Sequence, residues 1–477
     1  MCSSGLQTAL FCLNFERLLR KNSFSLLFLL VCTNFAETTV LQAMTISELY
    51  SIFTAHPVIT TDTRDCPAGS IFFALRGASF NGNDFALKAL ESGCAYAVVD
   101  DPKLEGNDKV IVVDDVLTTM QQLATYHRHQ LGTPIVQITG TNGKTTTKEL
   151  TSAVLSETHN VLYTQGNFNN HIGVPKTLLR LTKENDIAVV ETGANHPGEI
   201  AELSKIVDAN CGLITNVGRA HLEGFGSFEG VIHTKGELYD YLRQKPGAFI
   251  FLDGDNPYLA PIAQGLTAET YGQPGKAYGV EGEVVECNPY LKFRFRIAGG
   301  EWQTVQTHLI GAYNVTNALA AIAVGHHFGV SATQAAHAIA NYQPTNNRSE
   351  MVKTAHNTLI VDAYNANPTS MKAALDNFSA IPSPHKMLIL GEMRELGEAS
   401  AVEHQKVAEQ ALSMDCEAVW LVGEEFQAFS EAADNVRWFP DVEAVKVALS
   451  DGDAPTDRLI LVKGSNGTKL YQLPELL

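Results

Sequence analysis

The sequence predicts an α/β protein of three units, and two observations carry this prediction. Short apolar strands alternate with helical apolar periodicity along most of the chain, as in sheets whose strands are joined by helices. A glycine-rich turn, 140–147, separates one such strand from one such helix. The chain has 477 residues, a length that allows about three domains of roughly 150 residues.

The composition is typical of a protein with packed cores. Apolar residues make up 45% of the chain and charged residues 18%, which excludes intrinsic disorder, a collagen-like fibre and a small disulfide scaffold. The 34 Lys and Arg against 52 Asp and Glu give a net charge of −18, and the sequence contains no basic run. Such a surface repels phosphate backbones, so we expect no nucleic-acid partner.

The eight cysteines are widely spaced and form no C-x-x-C pair. This spacing argues against a zinc ribbon and against a disulfide framework. We therefore expect a reducing compartment in which the thiols act as small apolar side chains. The cysteines are Cys2, Cys12, Cys32, Cys66, Cys94, Cys211, Cys287 and Cys416.

Residues 1–43 differ from the rest of the chain. A basic stretch, 17–21, precedes a short apolar run, 24–32, in the order found in secretory signals. This run is shorter than the about 20 residues that span a bilayer, so we expect no stable membrane association. Three interpretations compete: a signal peptide, an amphipathic appendage, and an upstream start that adds residues foreign to the domain. Because helical apolar spacing begins after Met44, we favour a leader that is not part of the fold.

Each unit has its own pattern of strands and helices. The first, 44–131, is predicted to be a small α/β domain with strands at 70–75, 95–99 and 110–113 and helices at 84–92 and 116–129. The central unit, 132–343, is predicted to have parallel strands at 136–138, 187–190 and 212–215. The last unit, 344–477, is predicted to be a Rossmann-like, doubly wound parallel sheet, with strands at 359–361, 387–390, 418–422, 437–439 and 459–462 and helices at 370–378, 401–412 and 442–449.

The turn at 140–147 is predicted to bind phosphate. It contains G-x-x-G-K-T, a shortened variant, because Ile138 stands where the usual eight-residue form has glycine. Glycines let successive N–H groups point inward, and the helix N-terminus favours an anion. Lys144 can reach the outer phosphates, and the hydroxyl of Thr145 can bind Mg²⁺. The predicted nucleotide-binding residues are Gly140, Thr141, Asn142, Gly143, Lys144, Thr145 and Thr146.

Three polar residues downstream are candidates for a metal site. Glu191 follows an apolar strand expected beside the phosphate loop, where Mg²⁺ would need an oxygen ligand. His221 follows the next strand and is either a metal ligand or a hydrogen-bonded core histidine. Lys235 by itself indicates a solvated lysine, because a bare ammonium group does not bind a metal ion.

The order of these motifs resembles the Mur ligase family, the ATP-dependent amide-forming enzymes of peptidoglycan synthesis. The resemblance extends from Met44 almost to the C-terminus, and it implies the three-domain architecture of that family. The stretches H-L-E-G-F-G-S, Y-N-A-N-P and G-E-M-R-E-L-G are similar to the branch that joins D-alanyl-D-alanine to a UDP-N-acetylmuramoyl tripeptide. The motifs that carry the resemblance are G-T-N-G-K-T-T, V-V-E-T-G-A-N-H-P-G-E-I, N-V-G-R-A-H-L-E-G-F-G-S, G-A-Y-N-V-T-N-A-L-A-A, D-A-Y-N-A-N-P-T-S-M and L-G-E-M-R-E-L-G.

The resemblance also implies roles for single residues. It implies ATP, two Mg²⁺ ions, and CO₂ bound covalently as a carbamate on a lysine, which explains a lysine beside a metal. The implied metal ligands are Thr145, Glu191, His221 and carbamylated Lys235; the implied adenine contacts are Asn314 and Asn317; the residues closing on the nucleotide are Asp362 and Asn365; and the implied catalytic residues are Lys144, Lys235 and the phosphate-contacting Arg348.

Two regions bear on the substrates. In the first unit, Asp62-Thr63-Arg64 resembles the family's D-S-R, so Thr63 and Arg64 are expected to bind the uridine nucleotide. The stretch 80–83 resembles the family's uridine-nucleotide segment, so Asn83 is also expected to bind this substrate. It replaces a common histidine and therefore ranks below Arg64, and its Asn-Gly context is also an ordinary turn signal. Near the C-terminus, Asn466 replaces the family's arginine after V-K-G-S, an arginine whose expected contact is a phosphate or a carboxylate.

The implied reaction is amide formation through an acyl phosphate. It needs no side-chain nucleophile, and no G-x-S-x-G or Cys–His setting is found. The intermediate must be shielded from water, which predicts closure of the last unit over the phosphate loop. Because ATP would be absent outside the cytoplasm, we expect a cytoplasmic protein. We also expect a monomer whose partners are two small molecules, the UDP-N-acetylmuramoyl tripeptide and D-alanyl-D-alanine.

Three alternatives remain. A folylpolyglutamate synthetase is similar from the phosphate loop onward but has that loop near its N-terminus, whereas here about 95 residues of α/β domain separate Met44 from Gly140. The Mur ligase that adds a diamino acid usually has a D-N-P-R-like motif, where this chain reads N-A-N-P-T at 365–369. A regulatory P-loop NTPase would not need the combination of Glu191, His221 and Lys235.

Overall fold

The computed structural model describes residues 44–344 and 348–477. The expected leader, 1–43, lies outside the described residues. Three β-sheets of four, nine and six strands follow one another along the described chain. Helices connect most of their parallel strands, so the predicted α/β class with three units is confirmed.

The first sheet is small and entirely parallel. Its spatial order follows the sequence: β1 Ile59–Thr60, β2 Ile71–Phe73, β3 Tyr96–Val99 and β4 Val110–Val112. The helices of this unit are α1 Ile46–Ala55, α2 Ala86–Glu91 and α3 Val116–Leu131. Thr45 caps α1 in a reciprocal pair with Glu48, which explains why the helix begins just after Met44. β1 is too short to show any periodicity in the sequence.

The second sheet has nine strands and contains the predicted parallel strands at its centre. The strands are β5 Ile135–Thr139, β6 Val161–Tyr163, β7 Ile187–Glu191, β8 Cys211–Ile214, β9 Phe249–Asp253, β10 Ala268–Gly272, β11 Val280–Cys287, β12 Tyr290–Ile297 and β13 Gln303–Ile310. They lie in the order β13–β12–β11–β10–β9–β8–β5–β7–β6. The helices are α4 Lys144–Leu155, α5 Gly173–Leu178, α6 Glu199–Val207, α7 Leu222–Phe225, α8 Phe228–Arg243, α9 Leu259–Ile262, α10 Asn314–His327 and α11 Ala332–Asn341.

One edge of this sheet is antiparallel, which the sequence analysis did not predict. β12 pairs antiparallel with both β11 and β13, whereas the remaining neighbours pair in parallel. Along β12, the apolar Leu291, Phe293 and Phe295 are buried. Polar residues alternate with them, a period of two that indicates a half-buried strand. This local signal was present in the sequence.

The third sheet is the predicted doubly wound sheet with one antiparallel edge strand. Its strands are β14 Glu350–Lys353, β15 Thr358–Asp362, β16 Lys386–Gly391, β17 Ala418–Val422, β18 Val436–Phe439 and β19 Leu459–Lys463, in the order β14–β15–β19–β16–β17–β18. Only β14 pairs antiparallel among these strands. The helices α12 Pro368–Ala380 and α13 Ser400–Leu412 cover one face, and α14 Val442–Ala448 covers the other.

The first and second sheets share one apolar core. Four side chains of α3 cross the junction with hydrogen bonds to carbonyl groups of the second unit, and one of them is Gln121, whose Nε2 donates to His171 O at 3.0 Å. Thr125 Oγ1 donates to Ile206 O at 3.0 Å, and Arg128 Nε donates to Val207 O at 3.1 Å. The ring Nε2 of His127 lies 2.9 Å from Leu181 O. These contacts connect α3 to both units. The boundaries between the units, after residues 131 and 343, stay predictions.

Two further expectations from the sequence concern membrane association and the cysteines. Within 44–344 and 348–477, no helix is long and apolar enough to cross a membrane. In the same ranges Cys94, Cys211 and Cys416 are buried free thiols, and Cys66 and Cys287 are partly buried free thiols. The other three cysteines belong to the leader and lie outside the described residues.

Candidate active site

A cavity of about 630 Å³ lies between the second and third units. Its wall combines the loop at the start of α4, the ends of β7 and β8, the start of α10, and the ends of β15 and β19. The carboxyl ends of parallel strands from two sheets thus face each other, the place where open α/β sheets bind ligands. Of the predicted site residues, the wall contains Thr141, Asn142, Gly143, Lys144, Thr145, Thr146, Glu191, His221, Asn314, Asn317, Arg348, Asp362 and Asn365.

The predicted phosphate loop is held in place by the loop that follows β8. Thr141 N donates to Asn216 O at 2.9 Å, and Asn142 N donates to Asn216 Oδ1 at 3.0 Å. Gly143 has a φ of 77°, a left-handed conformation that favours glycine, and α4 begins at the next residue. The loop therefore opens directly onto a helix N-terminus, where backbone N–H groups favour an anion.

Lys144 lies across this loop. Its Nζ donates to Gly140 O at 2.8 Å and to Thr141 O at 2.9 Å. Burial lowers the pKa of Lys144 to about 8, while the Glu191 carboxylate opposes the shift and the Arg348 guanidinium adds to it. At neutral pH the ammonium form still predominates, so the residue keeps a positive charge for phosphate oxygens.

Glu191 has a carboxylate oxygen that fits a cation. The side chain ends β7 and is only 1% exposed. Its Oε1 accepts a hydrogen bond from Asn169 Nδ2 at 2.8 Å, whereas Oε2 is buried without a hydrogen-bond partner among the described residues. An unpaired buried carboxylate oxygen is costly, and Mg²⁺ prefers oxygen ligands, so the donor chemistry here fits magnesium.

His221 lines the cavity wall. The His221 imidazole contacts the Glu395 carboxylate through Nδ1. Burial lowers the pKa of His221, and the nearby Lys144 and Lys235 ammonium groups lower it further against the opposing effect of Glu395. The neutral imidazole, which is the form that binds metals, is thereby favoured.

Lys235 does not line the cavity wall itself. It lies on α8, is 2% exposed, and its Nζ donates to Ala194 O, a wall residue, at 3.3 Å. Burial lowers the pKa of Lys235 to about 7, with a further contribution from Lys144. Within the described ranges no three His, Cys, Asp or Glu residues cluster as a metal site. A metal ion here would therefore need oxygen ligands beyond those side chains.

The predicted adenine contacts lie at the start of α10 and are already hydrogen-bonded. Asn317 Nδ2 donates to Asn314 Oδ1 at 2.8 Å, and Asn317 Oδ1 accepts from Thr147 Oγ1 at 3.1 Å. Asn314 Nδ2 donates to Ile310 O at 2.8 Å. These amides connect α10 to α4 beside the phosphate loop.

The third unit contacts the loop directly. Asn367 Nδ2 donates to Asn142 Oδ1 at 2.8 Å, and Asn142 Nδ2 donates back to Asn367 Oδ1 at 3.4 Å. Arg219 N donates to Thr369 Oγ1 at 3.2 Å. The last unit therefore lies over the phosphate loop, the arrangement that shielding of a reactive intermediate requires.

Charged groups of the third unit also face the cavity. Asp362 Oδ2 lies 2.6 Å from Lys463 Nζ, and both residues line the wall. The Arg348 guanidinium stacks on the Tyr364 ring, with Cζ 4.0 Å from the ring centroid. Asn365 also lines the wall, and its carbonyl group accepts from Lys463 Nζ at 3.4 Å.

The residues expected to bind uridine lie in the first unit, outside the cavity wall. Thr63 is partly exposed, and the exposed Arg64 forms an ion pair with Asp62 at 2.6 Å. Asn83 differs from these two because it is 3% exposed and its Nδ2 donates to Asp100 Oδ1 at 2.7 Å. Its Oδ1 accepts from Asp100 N at 3.0 Å, so the Asn83 amide already has partners within the unit.

Sequence reasoning missed several wall residues. Asn169, Asn170 and His171 line the cavity in the loop after β6. The run N-F-N-N-H after an apolar strand was a usable signal, because open α/β sheets bind ligands outside the carboxyl ends of their strands. Lys463 was noted only as part of V-K-G-S, and nothing in that short motif shows its pairing with Asp362.

Comparison with known proteins agrees with this architecture. Three family models match: "Mur ligase family, catalytic domain" over 57–128, "Mur ligase middle domain" over 138–325, and "Mur ligase, glutamate ligase domain" over 347–466. The UDP-N-acetylmuramoyl-tripeptide–D-alanyl-D-alanine ligase of Bacillus subtilis is 36% identical over 430 residues, covering 87% of this chain and 92% of that protein.

Solved structures agree as well. The crystal structure of MurF from Acinetobacter baumannii has a TM-score of 0.79 and 31% identity, covering 87% of this chain and 92% of that chain. The MurF ligase from Thermotoga maritima, solved in complex with ADP, has a TM-score of 0.77 and 24% identity, covering 88% and 96%, and shows the shared fold.

The matching domain models and the named relatives identify an ATP-dependent ligase, and the phosphate loop that faces the carboxyl ends of a second sheet agrees with that class. The chain belongs to the Mur ligase family. The predicted resemblance is thereby confirmed, and relatives that match over most of its length include ligases named for D-alanyl-D-alanine.

Proposed function

We propose that this chain joins D-alanyl-D-alanine to UDP-N-acetylmuramoyl-tripeptide with ATP, releasing ADP and phosphate, in peptidoglycan precursor synthesis. The observation that carries the proposal is the cavity in which the phosphate loop, Glu191 and the ends of β15 and β19 meet. The similarity over most of the chain to ligases of that name supports it.

The reaction has two steps. A tripeptide carboxylate oxygen attacks the γ-phosphorus of ATP, the bond from phosphorus to the bridging oxygen breaks, and ADP leaves. The amine nitrogen of D-alanyl-D-alanine then attacks the acyl carbon, a C–N bond forms, the C–O bond breaks, and phosphate leaves while the amine proton passes to solvent. Lys144 and Arg348 supply positive charge where negative charge spreads over the phosphoryl oxygens.

We propose that Thr145, Glu191, His221 and carbamylated Lys235 hold two Mg²⁺ ions. Magnesium bound there would neutralise phosphate oxygens. The carbamate forms when the neutral Lys235 amine attacks CO₂, which creates a C–N bond and releases a proton. The buried surroundings of Lys235 favour the neutral amine, and the unpartnered Oε2 of Glu191 supports a cation beside it.

The remaining roles follow the geometry of the units. We propose that the first unit, 44–131, binds the uridine nucleotide through Thr63 and Arg64, with Asn83 shaping that segment through Asp100. The second unit, 132–343, binds ATP, with Asn314 and Asn317 at the adenine. The third unit, 344–477, closes on the nucleotide through Asp362 and Asn365. We also propose that the protein acts in the cytoplasm, because its reaction consumes ATP, and that it acts as a monomer.

The proposal is tested by ADP release in the presence of each substrate alone and of both. We expect turnover only when UDP-tripeptide and D-alanyl-D-alanine are both present. Lys144→Ala should abolish it, whereas Lys372→Ala, an exposed lysine of α12, should not. Turnover by Lys144→Ala at the wild-type rate would refute the role of the loop.

The same assay separates the alternatives. Turnover with a diamino acid and UDP-dipeptide would indicate the diamino-acid-adding ligase, and turnover with glutamate and a folate would indicate a folylpolyglutamate synthetase. ATP hydrolysis without any amine or carboxylate substrate would indicate a regulatory NTPase.

A further inference from the structure

The second and third units meet beside the cavity through a carboxylate and an imidazole. His221, a wall residue, lies in the segment after β8, and Glu395 lies in the loop after β16. The two side chains contact each other through His221 Nδ1 and a Glu395 carboxylate oxygen. We propose that Glu395 is a positioning residue that orients the His221 ring, so that its other nitrogen, Nε2, binds a metal ion. The inference rests on the proposed function, in which His221 is a metal ligand.

The carboxylate partner decides which nitrogen of the His221 ring carries the proton. An ionised carboxylate only accepts hydrogen bonds, so the Nδ1 of a neutral imidazole must carry the proton that it donates to Glu395. Nε2 then keeps its lone pair, and among the residues that the structure describes it has no hydrogen-bond partner. Histidines that bind metal ions usually donate their second ring N–H to a carboxylate, a carbonyl or water, which fixes the ring and makes it a stronger ligand. The pair has this arrangement.

Both residues are held in backbone conformations that side chains rarely adopt. His221 has a φ of 50° and Glu395 a φ of 62°, in the left-handed region that disfavours residues with a Cβ. Glu395 O accepts a hydrogen bond from Glu223 N at 3.3 Å, and the Phe225 ring lies edge-on to the His221 ring, with centroids 6.1 Å apart. Such strained residues cluster at functional sites, where neighbouring contacts hold them. Strain on both sides of one contact therefore indicates that the contact itself has a function.

The loop that contains Glu395 is fixed from within the third unit. His404, on α13, is fully buried, and Met393 N donates to its Nε2 at 2.9 Å. The other ring nitrogen of His404 lies 2.8 Å from Ser400 O. A residue that orients a metal ligand must itself be held in place. The buried His404 supplies this support two residues before Glu395.

A purely stabilising ion pair does not explain the contact. The Glu395 side chain is 50% exposed and the His221 side chain 26% exposed, and ion pairs open to solvent contribute little to stability. The pair also joins two units, because His221 belongs to the second and Glu395 to the third. The ring is therefore oriented only while the third unit lies over the phosphate loop, the arrangement in which the reactive intermediate is shielded.

The test measures binding of Mn²⁺, a paramagnetic substitute for Mg²⁺, to the full-length protein by electron paramagnetic resonance. Bicarbonate in the buffer supplies the CO₂ for the proposed carbamate on Lys235. We expect Glu395→Ala to raise the Kd for Mn²⁺ about tenfold to a hundredfold, as for other partners of metal-binding histidines. Glu395→Gln keeps an oxygen that accepts from Nδ1 and should recover part of this loss. The matched control is Glu398→Gln, which removes a charge from the same loop and should bind Mn²⁺ as the wild type does.

A double-mutant cycle separates positioning from a structural role. His221→Ala should weaken Mn²⁺ binding and abolish the spin-echo signal of a directly bound imidazole nitrogen. Adding Glu395→Ala to His221→Ala should then have no further effect, because the ring that Glu395 orients is gone. Thermal unfolding shows whether each variant is folded, and Glu395→Gln takes the place of Glu395→Ala in the cycle if the alanine variant does not fold.

The outcomes distinguish this inference from the proposed function. Three results would overturn the positioning role of Glu395: a wild-type Kd for Mn²⁺ in Glu395→Ala, no recovery in Glu395→Gln, or the same further loss in the His221→Ala background as in the wild type. A wild-type Kd for Mn²⁺ in His221→Ala would instead refute the metal site of the proposed function, on which the inference rests.

Discussion

Asn367 connects the stability of one helix to the contact between two units. Its side chain accepts a hydrogen bond from Ser370 N at 2.9 Å and so caps the N-terminus of α12. Its Nδ2 group also donates to Asn142 Oδ1 in the phosphate loop at 2.8 Å. Asn367→Asp keeps the cap, because aspartate caps as well as asparagine, but removes the donor to Asn142. Asn367→Ala removes both.

We therefore expect the two variants to differ in the free energy of unfolding and to show the same loss of kcat/KM for ATP. Loss of the cap lowers the free energy of unfolding by about 1 kcal/mol, in Asn367→Ala only. Both variants lose the hydrogen bond to Asn142, worth about 1 kcal/mol, and Asn367→Asp also leaves Asn142 Oδ1 facing a carboxylate. Both should therefore lower kcat/KM for ATP about fivefold to thirtyfold. The second hydrogen bond, which Asn142 Nδ2 donates to Asn367 Oδ1 at 3.4 Å, contributes less.

The assay is initial-rate ADP release at low ATP, with urea unfolding of the same samples. Asp441→Ala is the control, because Asp441 caps α14 through Ala444 N at 2.9 Å on the opposite face of the same sheet. It should lose stability and keep activity. Asn367→Asp with wild-type kcat/KM would refute the claim that this hydrogen bond holds the third unit over the loop.

Two further predictions concern the backbone conformation at Gly143 and the ionisation of Asp208. Gly143→Ala should raise the KM for ATP more than tenfold, because a Cβ there meets the Asn317 amide, with Nδ2 at 3.1 Å. Gly166→Ala has a similar positive φ but no atom within 4 Å, so it measures the backbone strain alone; equal effects would contradict the steric argument. Burial raises the pKa of Asp208, but hydrogen bonds from Lys245, Tyr241 and His129 outweigh it and lower the pKa to about 2. The unfolded state then binds more protons, so stability should fall as the pH drops from 3.8 towards 2, and Asp208→Asn should flatten that slope in urea titrations.

The sequence predicted the local parts of the site because they are encoded within short windows. A strand, a glycine turn and a helix define the phosphate loop within about twenty residues, and Glu191 and His221 each follow an apolar strand. Periodicity also identified all five parallel strands of the third sheet. The antiparallel edge of the second sheet had the same kind of signal in β12, and its pairing with β11 and β13 appeared only in three dimensions.

What only the tertiary structure decided is which distant residues meet. The hydrogen bond between Asn142 and Asn367 joins positions 225 residues apart, and no periodicity encodes such a pair. The exposure of Arg64 and the burial of Asn83 likewise depend on neighbours elsewhere in the chain. The sequence by itself determined the strand and helix on either side of the phosphate loop, the loop chemistry and the family. Packing of two sheets against each other decided the cavity, because contacts between units depend on surfaces assembled from residues far apart in the chain.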